Sequence, residues 1–259
     1  MKNIFKIKYL TVLLLAATHQ LQASEKVELL KTDWSFKGLF GKFDRGSLQR
    51  GYQVYTEVCA SCHSMKYLSY RNLSEKGGPE FSIEQAKAIA ASFEVIDGPN
   101  NDGEMFERPA KLSDKFLMPY ENVKEAQAAN GGAYPPDMSV LAKARSGGVD
   151  YIYSVLLGYE DPPSGITLDD GVYYNKYMYG NNIKMSQPLY DGSVEYNDGT
   201  EATKEQMAKD VATFLMWAAE PHLEARHKMG FKAILYLIIL TILVYFSMKK
   251  IWSRIESEV

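Results

Sequence analysis

The sequence predicts a mostly α-helical domain with long loop insertions, exported across a membrane and tethered there by one C-terminal transmembrane helix. Three observations predict it. Helical apolar periodicity appears in two well-separated stretches, around residues 48–58 and 203–218. An apolar run from Met229 to Met248 contains a single charge, Lys232. The 259-residue chain has only two cysteines, Cys59 and Cys62, both inside one short segment.

Residues 1–23 read as an export signal. Lys2, Lys6 and Lys8 form a positive head, Tyr9 to Ala17 an apolar stretch, and Ala23 before Ser24 a small-residue cleavage point. An uncleaved N-terminal anchor is the weaker alternative, because the stretch is too short to span comfortably. The expected exported domain, residues 24–225, opens with an aromatic lead-in holding Trp34, Phe36, Phe40 and Phe43. Next comes a helix over 47–63, with Leu48, Gly51, Tyr52, Tyr55 and Val58 at three- and four-residue spacing. The centre, 64–200, is rich in turn residues such as Asp97-Gly98-Pro99-Asn100 and Asp161-Pro162-Pro163. Short helices are expected there at 82–92 and 138–146, and a longer one at 149–157.

An amphipathic helix at 203–218 carries Met207, Val211, Phe214, Leu215 and Ala218 on one stripe. That stripe is expected to pack on the Gly51/Tyr55 face of the earlier helix, where a glycine permits close backbone approach. The apolar run 229–248 makes a helix of about 30 Å, the thickness of a hydrocarbon core. Lys249, Lys250 and Arg254 follow it. Flanking charge leaves the orientation ambiguous, since Arg226 and Lys228 lie at the other end. The export signal decides it: domain in the periplasm of a bacterial inner membrane, tail 249–259 in the cytoplasm.

Charge narrows the partners. Removing Lys2, Lys6 and Lys8 at the front, and the six basic and two acidic residues from Arg226 onward, leaves 20 basic and 30 acidic groups. A formal charge of −10 argues against a nucleic-acid partner. It suits attraction of a small basic protein, or it serves solubility alone. Glu94, Asp97, Asp102, Glu104 and Glu107 are one candidate docking cluster. An exported domain of this size could have used disulfides, yet both thiols are committed to one local motif.

That motif is Cys59-Ala60-Ser61-Cys62-His63, the C-x-x-C-H attachment sequence for a single c-type haem. Cysteines three apart on a helical turn project to the same side, where each can form a thioether with one haem vinyl group. His63, the next residue, is then directed at the iron. A thioredoxin-type dithiol would need a strand before it, and the preceding stretch is helical in pattern. A zinc site would need further sulfur or nitrogen ligands, and beyond the signal only His222 and His227 remain, both beside the apolar span.

A haem that only moves electrons usually has both axial positions filled, and methionine opposite histidine raises its potential. Met65 is too close to His63 to reach the other face. Met207 and Met216 lie in an expected helix, and Met229 and Met248 end the apolar run. Of the loop candidates Met105, Met118, Met138, Met178 and Met185, the best placed is Met185. It sits in a turn-rich segment before Pro188, shortly ahead of the last helix of the domain. Met118 is the runner-up.

At this point the chain resembles the cytochrome c1 family over nearly all of its exported part. The resemblance is carried by Glu57-Val58-Cys59-Ala60-Ser61-Cys62-His63-Ser64-Met65 with Tyr70-Arg71, and by Ala128-Ala129-Asn130-Gly131-Gly132-Ala133-Tyr134-Pro135-Pro136-Asp137-Met138-Ser139. Further matches are Ala144-Arg145-Ser146-Gly147-Gly148-Val149-Asp150-Tyr151, Leu157-Gly158-Tyr159 with Pro162-Pro163, and Asp210 to Pro221 running into the anchor. It implies a class I cytochrome c-like haem domain with long loop insertions. It also implies Met185 as distal iron ligand, Arg145 on a haem propionate, and Asn130, Tyr55, Pro136 and Tyr151 lining the pocket. Some bacterial members carry an extra disulfide, for which this chain has no cysteines.

The function implied is one-electron relay within a dimeric quinol–cytochrome c oxidoreductase. Quinol is oxidised in cytochrome b, a Rieske iron–sulfur protein reduces this haem, and a soluble or membrane-tethered cytochrome c accepts the electron. Two rival readings are weaker. Another anchored electron carrier, such as a terminal-oxidase haem subunit, would not co-purify with a Rieske protein and cytochrome b. A haem-based gas or redox sensor would bind carbon monoxide when reduced.

Overall fold

The computed structural model describes residues 27–256, so the expected signal 1–23 lies outside the described residues. Helix α1 spans Arg45–Val54 and starts where the Asp44 carboxylate accepts a 2.7 Å hydrogen bond from the Ser47 amide. The helix expected over 47–63 does not continue as α. Tyr55–Cys59 form one π-helical turn, closed by the Ala60 amide donating to the Tyr55 carbonyl at 2.8 Å. The Cys62 and His63 amides then both donate to the Cys59 carbonyl, at 3.1 and 2.9 Å. A π turn inserts one extra residue and re-aims the side chains that follow it.

Helix α2 (Ile83–Ala91) begins in a capping box of Ser82 and Gln85, near its expected place. Helix α3 (Val123–Ala129) and the strand pair β1 (Glu94–Asp97) with β2 (Phe106–Pro109) had no sequence signal strong enough to predict them. Helix α3 has two turns and only Ala126 buried. Strands β1 and β2 pair antiparallel, with the Asp97-Gly98-Pro99-Asn100 turn at the tip. The expected helix at 138–146 is the short α4, Leu141–Ala144, and α5 runs Gly148–Leu157. A second small pair follows, β3 (Tyr173–Tyr174) with β4 (Asn182–Ile183). Helix α6 covers Lys204–Ala219, capped by Thr203.

The core is built on α1 against α6, the most extensive interhelix contact, with α5 and α4 on another side of α6. Gly51 makes that contact possible. A Cβ there would collide with the Asp210 carbonyl and lie 2.8 Å from Phe214 Cβ. Tyr52 meets the Phe214 ring edge-on at 5.8 Å and Tyr55 meets it tilted at 5.9 Å, and Tyr55 and Tyr70 meet Phe116 at 6.2 and 5.0 Å. Polar groups fix the register of the same helices. Arg50 forks onto the fully buried Asp210 at 2.8 and 3.2 Å, a bidentate geometry that excludes sliding.

Helix α7 is continuous from Leu223 to Glu256, about 51 Å at 1.5 Å per residue. It is long and apolar enough to cross a membrane, and its apolar stretch is exposed among the described residues, with Phe231 near its start meeting the Phe40 ring at 6.0 Å. Its first turn nevertheless belongs to the domain. Glu224 accepts from Arg45 at 2.8 and 3.0 Å and from the Phe43 amide at 3.0 Å. The start of α1 and the start of α7 are thereby fastened together.

Candidate functional site

The π turn ends at Cys59, and the tight turn after it presents Cys62 and His63. Both thiols are free and half-buried. Burial, reinforced by the neighbouring Cys62 thiol, pushes the Cys59 pKa up to about 12. A neutral thiol of this kind is the opposite of the depressed, nucleophilic cysteine of a dithiol redox enzyme.

His63 is buried, and its Nδ1 lies 2.8 Å from the Pro136 carbonyl oxygen. A carbonyl can only accept, so Nδ1 carries the proton and Nε2 is left with its lone pair. Burial holds the imidazole pKa below its ordinary value, outweighing the Pro136 carbonyl and the Asp137 carboxylate, which favour the cation. The ring is therefore neutral near pH 7. The Tyr55 hydroxyl donates to the His63 carbonyl at 3.2 Å, so Tyr55 supports this segment from the core side.

Asp137 holds the two segments together. One carboxylate oxygen accepts from Ser64 Oγ at 2.8 Å and the Lys66 amide at 3.0 Å; the other accepts from the Ser139 amide at 3.0 Å. The Met138 amide donates to the Ser64 carbonyl at 2.8 Å, closing the seam. Sequence reasoning missed Asp137 as a positioning residue. The available signal was an acidic residue two before Ser139, directly after two prolines, which is an Asx-turn pattern.

The methionines divide by environment. Met65, Met138 and Met207 are in the core, whereas Met105 and Met118 are exposed. Met118 also lines a cavity of about 150 Å³ with Cys62 and Pro135, beside the carbonyl that holds His63. Met178 accepts a 3.3 Å hydrogen bond from the Tyr151 hydroxyl at its sulfur. Met185 is half-buried in the loop after β4, and its carbonyl accepts from the Tyr159 hydroxyl at 3.0 Å. Its neighbour Lys184 reaches across to the Gly131 carbonyl at 2.8 Å. Residues 130–136 thus touch the His63 ring at one end and the Met185 loop at the other.

The other expected pocket residues are distributed around this loop. The Asn130 side-chain amide donates to the Tyr120 hydroxyl at 3.0 Å and the Ala126 carbonyl at 2.7 Å, closing the end of α3. Arg145 is exposed just after α4, and its guanidinium meets only the Ala144 carbonyl among the described residues. Of the acidic cluster, Asp97 is spent on Arg108, while Glu94, Asp102, Glu104 and Glu107 stand exposed on the β1–β2 hairpin.

The model of the Cytochrome C1 family matches residues 34–255. The chain is 51% identical over 239 residues to "Cytochrome b/c1" of Bradyrhizobium diazoefficiens, a match covering 85% of this chain and 35% of that protein. It is 48% identical to "Cytochrome c1 2, heme protein, mitochondrial" of Arabidopsis thaliana, covering 92% and 76% of the two chains. Against "Cytochrome c1" of Rhodospirillum rubrum the identity is 45%, over 91% and 92%. A match that begins at Trp34, takes in every residue around His63 and ends in α7 leaves one conclusion: the chain belongs to the cytochrome c1 family.

Proposed function

We propose that this chain is the haem-bearing electron-transfer subunit of a quinol–cytochrome c oxidoreductase, receiving electrons from a Rieske iron–sulfur protein and delivering them to a soluble or membrane-tethered cytochrome c. The observation that carries the reading is the His63 tautomer: Nδ1–H is bound to the Pro136 carbonyl, leaving an Nε2 lone pair on the residue that directly follows the Cys59–Cys62 pair of free thiols. That donor set fits one covalently attached haem c, held by Cys59 and Cys62 and ligated by His63 Nε2 and Met185. When bound, haem c supplies a one-electron iron couple, whose potential a methionine ligand raises.

The chain's own residues fix and tune that site. Pro136 keeps the proton on Nδ1 and the ring in one orientation. Tyr159 and Lys184 hold the Met185 segment against the 130–136 loop. Met185 is favoured over Met138, which is used in the core, over Met178, which is engaged by Tyr151, and over Met105 and Met118, which are exposed where Met185 is half-buried. Arg145 keeps its charge unpaired by any described carboxylate, which suits a propionate; Tyr55, Asn130, Pro136 and Tyr151 would frame the pocket. Electron transfer needs no acid–base side chain, and quinol chemistry is assigned to cytochrome b.

Residues 1–23 are proposed as the signal, 24–225 as the periplasmic domain, 229–248 as the span and 249–259 as the cytoplasmic tail, in a bacterial inner membrane. The Bradyrhizobium relative's name joins cytochrome b and c1, which supports cytochrome b as a partner; a dimeric complex is part of the same proposal. The test is purification in mild detergent. Co-purifying cytochrome b and Rieske protein with inhibitor-sensitive quinol–cytochrome c activity is expected, and their absence overturns the assignment. In that preparation Met185→Leu should abolish the sulfur-to-iron charge-transfer band and lower the midpoint potential. Parental values for both would remove Met185 as the ligand.

A further inference from the structure

We infer that the loop tip Leu39-Phe40 is a membrane-contact site, inserting into the interfacial layer of the lipid beside α7; this rests on the reading of α7 as a membrane span. The tip is a built feature. Lys37 N donates to the Trp34 carbonyl at 3.1 Å, Gly41 N to the Gly38 carbonyl at 3.2 Å, and Lys42 N to the Ser35 carbonyl at 3.0 Å. Gly38 takes φ +86°, a turn conformation that glycine adopts without strain. At the base of this loop Trp34, Phe36 and Phe43 are buried in the core, Trp34 stacked on Phe36 at 5.6 Å and Phe36 tilted against Phe43 at 5.0 Å. At its tip Leu39 and Phe40 are 78% and 75% exposed. A tightly hydrogen-bonded loop that buries every aromatic but its tip residue presents that tip outward.

What covers the tip follows from where it lies. The Phe40 ring is 6.0 Å from that of Phe231, the third residue of the apolar run on α7. The tip is therefore level with the point where α7 becomes lipid-facing. Around it Lys42, Lys228 and Lys232 are exposed, with no carboxylate within 4 Å among the described residues. Apolar side chains below and long cationic ones around them match the interfacial layer, where lysine stems lie along acyl chains and ammonium groups reach phosphates. Two points of attachment would fix the tilt as well as the height of the domain, which a single helix leaves free.

The test places a nitroxide at Leu39→Cys in the full chain, reconstituted in vesicles of phosphatidylcholine and phosphatidylglycerol. The parent chain, labelled in parallel, gives the background from Cys59 and Cys62. Collision with oxygen should rise and collision with a water-soluble nickel chelate should fall several-fold relative to a label at Glu104→Cys on the exposed hairpin. Nickel access equal to that at Glu104→Cys would overturn the inference. Shielding from both reagents would also overturn it, in favour of a protein covering the tip. A label at Ile239→Cys reads the span itself. A deep label there with an aqueous one at Leu39→Cys sinks only the tip, whereas aqueous labels at both sink the membrane reading with it.

Discussion

Asp137→Ala is the substitution that best separates positioning from chemistry, because Asp137 belongs to neither thiol nor imidazole yet fastens both to their support. The change removes acceptors for Ser64 Oγ and for the Lys66 and Ser139 amides, at 2.8–3.0 Å. A hydrogen bond to a charged group contributes about 1.5–3 kcal/mol net. Partial exposure of this seam discounts the three, so a loss of about 2–4 kcal/mol is expected. Denaturant unfolding of the detergent-solubilised chain, read by circular dichroism, measures it. The pH dependence has a definite sign. Burial raises the Asp137 carboxyl pKa, but hydrogen bonds from Lys66, Ser139 and Ser64 outweigh it and hold the group below the usual range. A depressed folded value means the contribution is present above the unfolded pKa of about 4 and disappears as pH falls through the folded value. The parent should therefore lose stability in acid more steeply than Asp137→Asn, which has no charge there to lose. An Ala variant within about 0.5 kcal/mol of the parent, or identical acid slopes for parent and Asn variant, would refute the reasoning.

Gly51→Leu should force α1 and α6 apart, since even a Cβ collides with the Asp210 carbonyl. Overpacking of this kind costs about 1–3 kcal/mol and more against backbone, so lower melting temperature and lower holoprotein yield are expected. Glu224→Gln leaves Arg45 without its forked partner while keeping Glu80 at 3.1 Å. Because Arg45 is partly exposed, the loss should be about 1–3 kcal/mol rather than the full cost of orphaning a buried charge. Limited proteolysis should then cut faster around Pro221-His222-Leu223, where α7 leaves the domain; an unchanged cutting rate would argue against the anchoring role.

The local features of this protein were legible in its sequence. The pentapeptide ending in His63, the stripe on α6, the Gly51/Tyr55 face and the apolar run on α7 all follow from the spacing of residues near one another in the chain. Such spacing fixes what a segment can do regardless of how the rest folds. Short elements were not legible: α3 buries only Ala126, and β1 shows no pattern strong enough to distinguish it from a loop.

What only the tertiary structure decided is how distant segments meet. His63 is bound by a carbonyl 73 positions away, Lys184 by one 53 away, and Glu224 by a guanidinium 179 away. Asn130, expected to line the pocket, also closes α3 through its side-chain amide, a contact no local period announces. Leu39 and Phe40 read like the other apolar residues of the lead-in, yet they face outward while Trp34, Phe36 and Phe43 face in. The physical reason is the same in each case. A polar group or apolar side chain acquires its partner only when loops close and helices pack, and that choice is made by the free energy of the whole core rather than by any local period.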